Sequence, residues 1–274
     1  MAEIVAAMSS VHSPLMMSTP QMADEATWGR INNGFNTLRE NFTSAGADTI
    51  VVISDEHFNA LHPRSYPSFG VVTAETGVGP VENWLNVPCD SILVNFEPEL
   101  AEAVLNEGVR QDFDLTRIGE ARLEHGFLTC LNFMTPQWDM SYLWLIQNCV
   151  LSPLPSLKRC YDFGRMVGQA IRSWDSPRRI AILGTGGLSH AVGTPDMGKV
   201  DQQFDKKFLD LLCQQDPAMF DITDVELDAI GNGTHEIRNW IAVGVNDKII
   251  VFHNLHSKTK ISYPNKIYLV YNSH

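Results

Sequence analysis

Three of the nine histidines share one placement. His12, His57 and His190 each stand a few residues beyond the end of an apolar run that reads as a buried strand: EIVAAM (3–8), DTIVVIS (48–54) and RIAIL (179–183). In open α/β sheets the ligand crevice lies outside the carboxyl ends of the strands, so the three imidazoles are expected to face one crevice. Each alone reads more simply as a hydrogen-bonded loop histidine; the shared placement carries the argument. His125, in LEHGFLTCL, precedes a glycine and an apolar run able to begin a helix, whose positive end would keep the imidazole neutral. A surface turn is the equal alternative. Glu236, in GNGTHEIRNW, follows a glycine-rich turn, with Thr234 placed to cap the next helix and Glu236 itself readable as a charge in its first turn. Two neutral imidazoles and one carboxylate suit Fe(II) and leave three positions of an octahedral ion open, whereas zinc more often closes at four ligands. The donor types leave both metals open. His235 is a spare ligand that reads better as a local packing group, because neighbouring helical residues point about 100° apart.

The stretch RRIAILGTGGLSHAVG (178–193) allows other chemistry. A dinucleotide fingerprint needs a third glycine where Ser189 stands, then a helix; AVGTPDMGK breaks helices. A P-loop fails for want of Gly-Lys-Ser/Thr. GLSHA nearly spells a serine-nucleophile elbow at Ser189, with Asp221, Asp224 and His235 downstream in the required order. That motif runs straight from strand to helix, and here it does not. A metal-free serine hydrolase and a non-catalytic metal-binding subunit are the rival functions.

These residues need a scaffold. Apolar residues at Trp28, Ile31, Phe35 and Leu38 predict a helix over 28–46, closed by Gly46. Further helices are expected over 99–111, 157–174 and 200–215, and a strand over 140–151. Strand, helix and strand in this order predict an α/β fold: a single domain, with a mostly parallel central sheet and helices on both faces. The catalytic domain is expected over residues 1–246. The tail, 247–274, has two β-like runs split by a basic, turn-rich segment that could form an edge hairpin.

A chain of 274 residues with 44% hydrophobic content can bury a sizeable core. Its net charge of −12 argues against nucleic acid and anionic lipid as partners. Five scattered cysteines suggest neither a disulfide framework nor a thiolate zinc site. With no signal-peptide pattern and no run of roughly 20 apolar residues, a soluble cytoplasmic protein is expected.

Five motifs in order, VHSPLM (11–16), DEHFN (55–59), LEHGF (123–127), GTGGLSH (184–190) and GTHEIRNW (233–240), resemble the class III extradiol ring-cleavage dioxygenases. This is the superfamily of the protocatechuate 4,5-dioxygenase β subunit, and the wording is nearest its 2,3-dihydroxyphenylpropionate dioxygenase branch. The resemblance implies Fe(II) held by His12, His57 and Glu236, with His190 as acid/base and His125 as a second proton donor or orienting group. It implies a small aromatic diol and O2 as reactants, meta cleavage beside the hydroxyls, and a homo-oligomer or a small partner subunit. Tyr66, Phe69 and Phe127 are candidate pocket residues, though such aromatics more often pack. Arg64 and Arg238 are the arginines that could meet a substrate carboxylate.

Overall fold

The computed structural model describes residues 1–244 and the backbone of 249–254 and 267–271. In chain order the strands are β1 (Glu3–Val11), β2 (Thr49–Ser54), β3 (Phe69–Val72), β4 (Thr76–Gly79), β5 (Ile92–Phe96), β6 (Thr116–Ile118), β7 (Ala121–Arg122), β8 (Ser141–Gln147), β9 (Arg179–Gly186), β10 (Ile249–Asn254) and β11 (Ile267–Tyr271). The helices are α1 (Leu15–Ser18), α2 (Glu25–Ser44), α3 (Pro98–Arg110), α4 (His125–Met134), α5 (Leu157–Ser173), α6 (Gln202–Cys213), α7 (Asp224–Ile230) and α8 (Ile237–Val243).

Among the described residues the strands form one sheet, ordered β11-β10-β1-β9-β2-β8-β5-β4-β7, with β3 joining β8 and β6. From β10 across to β5 each neighbouring pair is parallel; β11, β3 and β4 supply antiparallel partners at β10, β8 and β5. The expected mostly parallel α/β sheet is what forms. One detail differs from a simple βαβ unit: β9 lies between β1 and β2 and pairs with both. Of the two tail strands, β10 pairs with β1 and β11 with β10, so they extend the sheet at its edge; the basic segment between them lies outside the described residues.

Strand alternation explains the two helical layers. In β2, Ile50 and Val52 join one apolar cluster with α2, α4 and the Trp240 side of α8, while Val51 and Ile53 join a second with α3 and α5. Each fully buried aliphatic side chain of this kind is worth about 1.5–3 kcal/mol against exposure. Helix α2 starts three residues before the sequence reading because Asp24 caps it, accepting the Thr27 N–H at 2.7 Å. It ends as expected at Gly46, whose φ of 68° closes the turn. No described helix is long and apolar enough to cross a membrane.

Candidate metal centre and catalytic site

The three central strands deliver the site. His12 follows Val11 at the end of β1, Asp55 and His57 follow β2, and Thr185 and His190 lie at and beyond the end of β9. Backbone pairing fixes their height: Ser10 is level with Thr185, Val11 with Gly186, and the His12 N–H donates to Gly186 O at 3.0 Å. Glu236 stands at the start of α8, where it caps no backbone group. Its carboxylate instead lies 3.4 Å from His12 Nε2, 4.0 Å from His57 Nε2 and 3.5 Å from His190 Nε2. The strand-end histidines thus converge on one acid.

Hydrogen bonds select which ring nitrogen faces the centre. Thr185 Oγ1 donates to Gly126 O at 2.7 Å, so at 3.1 Å from His12 Nδ1 it accepts that nitrogen's proton. His57 Nδ1 donates to Glu124 at 2.8 Å. In both rings Nε2 is therefore the nitrogen free to present a lone pair, the carboxylate- or oxygen-backed arrangement usual for metal-bound histidine. Atoms sharing an octahedral ion at about 2.1 Å stand about 3.0 Å apart when adjacent and 4.2 Å when opposite. The observed separations fall near that range, and His12, Asp55, His57 and Glu236 form a four-residue group with ligand atoms within 4.8 Å of one another. The donors fit a divalent cation.

The electrostatics point the same way. Asp55, Glu82, Glu124 and Glu236 are all buried, and among the described residues none is paired with lysine or arginine. Burial alone would raise the Glu124 pKa, yet His125 and His57 pull it down to about 2. Burial likewise opposes ionisation of Glu236, and His190 and His12 more than offset it, holding that carboxylate well below its usual range. The Asp55 pKa is raised, by burial first and then by the Glu236 charge. So many buried acids need positive charge, from protonated imidazoles or from a bound cation.

His125 begins α4, as its apolar run suggested, but the helix's positive end is met by Glu82. That carboxylate accepts the His125 backbone N–H at 2.9 Å and holds Nδ1 at 2.5 Å, with Glu124 at 3.1 Å. His190 donates Nδ1–H to Leu188 O at 2.8 Å, leaving Nε2 toward Glu236. Its ring lies between two glycines: a Cβ on Gly187 would come within 2.5 Å of Cε1, and one on Gly233 would overlap the ring itself.

Other sequence candidates resolve differently. Thr234 caps nothing; its buried hydroxyl has no hydrogen bond among the described residues. His235 turns away, its Nε2 on Asp228 at 2.8 Å and its Nδ1 accepting from Arg238. Arg238 is fully buried and spent on Pro155 O, His235 and Asp224, so it meets no substrate. Phe69 and Phe127 belong to the core, stacked among Phe113 and Phe163 and among Phe96, Tyr142 and Trp144. The Tyr66 hydroxyl is tied to the Glu56 backbone. Ser189 is a loop brace: its hydroxyl accepts the Asp201 N–H at 2.8 Å and donates to Asp201 O, while its own N–H goes to Asp205. No histidine bonds that hydroxyl among the described residues, which removes the basis of the serine-hydrolase reading.

A family model described as the catalytic LigB subunit of aromatic ring-opening dioxygenase matches residues 6–267. The chain belongs to the LigB family. The resemblance read from the five motifs is borne out at that level. A 2,3-dihydroxyphenylpropionate/2,3-dihydroxicinnamic acid 1,2-dioxygenase of Photorhabdus laumondii is 30% identical over 207 residues, a stretch covering 71% of this chain and 59% of that protein. A gallate dioxygenase of Pseudomonas putida is 29% identical over 123 residues, 44% of this chain and 36% of that protein. A Klebsiella pneumoniae dioxygenase carrying the first name is 25% identical over 84% of this LigB-family chain and 85% of its own length. The fold matches the crystal structure of an uncharacterized Escherichia coli K12 protein, with a TM-score of 0.54 at 16% identity, covering 84% of this chain and 89% of that one.

Proposed function

We propose that this chain is an Fe(II)-dependent extradiol dioxygenase that opens the ring of a catechol-type aromatic with O2. The reading is supported chiefly by the two Nε2 atoms of His12 and His57, freed by Thr185 and Glu124, which turn toward Glu236 at the carboxyl ends of the central strands. His12, His57 and Glu236 would hold the iron. Bound there, Fe(II) supplies Lewis acidity toward the diol oxygens and the one-electron chemistry that O2 requires.

The remaining groups handle protons. His190 keeps Nε2 available because Nδ1–H is fixed on Leu188 O. Burial lowers the basicity of its ring, and the bare Glu236 charge more than offsets this, bringing the pKa up to about 9; a cation held by Glu236 would cancel that charge and leave the ring neutral, with Nε2 able to accept a proton. It would take the second diol proton and return it to the ring-opened product. His125, with its Nδ1–H held by Glu82, turns Nε2 away from that carboxylate and would orient the diol or pass on a proton through it. Its ring centroid is 4.0 Å from that of His57.

The test is aerobic turnover of a catechol panel after anaerobic Fe(II) loading, followed by the yellow absorbance of a ring-opened semialdehyde. His190→Ala is expected to keep stoichiometric iron and lose most turnover, by roughly 10²–10⁴-fold. Undiminished turnover in that variant would remove His190 from the mechanism. Glu236→Ala is expected to lose the iron.

A further inference from the structure

One buried acid is left over by the three-ligand assignment. Asp55 is fully inaccessible to solvent, and its two oxygens are treated differently. Oδ1 accepts a hydrogen bond from Asn239 Nδ2 at 2.9 Å. That amide is itself anchored, donating also to Thr185 O at 3.0 Å and accepting from Gln147 Nε2 at 3.1 Å. Oδ2 accepts no hydrogen bond among the described residues. It points into the centre, 3.2 Å from His57 Nε2, which is not aligned to donate to it.

No hydrogen bond meets this buried oxygen among the described residues, nor Glu236 Oε2, and both acids belong to one group of ligand atoms within 4.8 Å of one another, so a cation between them would satisfy both. Nor is Oδ2 free to turn toward water, because the Asn239 bond fixes the plane of the group. The spacing of 3.2 Å from His57 Nε2 is what two adjacent ligands of one ion show.

We propose that Asp55 Oδ2 is a fourth protein ligand of the resting metal centre, which is then held by two imidazoles and two carboxylates. The inference rests on His12, His57 and Glu236 being ligands, and it concerns the protein before a diol binds. Two carboxylates balance the charge of a divalent ion and leave two positions open on a six-coordinate one. Asn239 acts as a positioning residue, presenting one oxygen and withholding the other.

The experiment is Co(II) binding to the full chain by competition with a chelator, with the visible cobalt bands recorded, for the wild type and Asp55→Asn. Asparagine keeps the shape and an oxygen for Asn239 while losing the anionic ligand. Affinity is expected to fall by about 100-fold or more, with altered bands, while the metal-free variant melts no lower than wild type because two buried acids no longer face each other. Affinity within about threefold with unchanged bands overturns the proposal and leaves the three-ligand centre standing; that is the result if Asp55 only accompanies a protonated His57. Failure of the wild type itself to bind Co(II) overturns both. Should the variant not fold, a crystal structure of the Mn(II)-loaded wild type reads the same point. Oδ2 within about 2.5 Å of the ion supports the assignment, and a water between them overturns it.

Discussion

Thr185 Oγ1 stands 3.1 Å from His12 Nδ1, across 173 residues of chain, and it spends its only proton on Gly126 O. One hydroxyl therefore ties β9, the first turn of α4 and the end of β1 into a single orientation of the His12 ring. Thr185→Val keeps the β-branched shape and removes the acceptor. Metal affinity is expected to fall by about 10–100-fold, as with other supporting partners of metal-bound histidine. Calorimetric or competition titration with Fe(II) or Co(II) measures it, and an unchanged affinity would show that the ring needs no such support.

How much of this was legible beforehand follows from the range of the forces. The strands carrying His12, His57 and His190 are continuous apolar runs bounded by turns, so local composition suffices, and the crevice rule then brings the histidines together. Strands β3 to β7 are two to five residues long, and all but β5 are interrupted by glycine or charge, which leaves no periodicity to read. The supporting acids are harder. Glu82 is 43 residues from His125 and Glu124 is 67 from His57, and nothing in their spacing marks them. Within DEHFN the acid beside His57 is the misleading one: Glu56 accepts backbone N–H groups of Phe58, Asn59, Ala60 and Leu61 and closes the loop. Asp55, one residue earlier, faces the centre. Because successive residues of an extended chain point to opposite sides, knowing where β2 ends decides between them.

The His190 ring depends on the absence of side chains around it. Gly233 offers no room for even a methyl group, since a Cβ would overlap the imidazole. Gly233→Ala is expected to displace the ring while leaving His12 and His57 in place. Metal content should stay near wild type and turnover should fall by about 10²-fold or more, the loss produced by small misplacement of a reacting group. Iron analysis alongside kcat distinguishes this from general damage, which would lower both.

The loop carrying His190 is also braced from α6, where Asp205 accepts the Ser189 N–H at 2.8 Å. Burial, against the opposing pull of that hydrogen bond, pushes the Asp205 pKa up to about 7. The folded protein thus holds a proton that the unfolded chain releases near pH 4. Stability from this group is complete below about pH 4 and is lost as pH rises toward 7. Asp205→Asn keeps an oxygen for Ser189 and cannot ionise. Between pH 5 and pH 8 the variant should gain about 2 kcal/mol relative to wild type in urea unfolding. Parallel pH profiles for the two proteins would mean that Asp205 ionises normally.

Glu82 joins the start of α4 to His125 through both of its oxygens, one on the backbone N–H and one on Nδ1. Glutamine can serve only one of them as an acceptor; its amide must face the other as a donor. If the carbonyl stays on the backbone, the amide donates to Nδ1 and moves the imidazole proton to Nε2; if it stays on Nδ1, a backbone N–H at the helix start is left unpaired, at a cost of about 1 kcal/mol. Either way the proton on His125 is no longer placed as it was, while His12, His57 and Glu236 are untouched. Glu82→Gln is expected to keep its metal and lower kcat by about 10–100-fold, with KM little changed. A loss of metal in step with activity would instead put Glu82 among the supports of the ion.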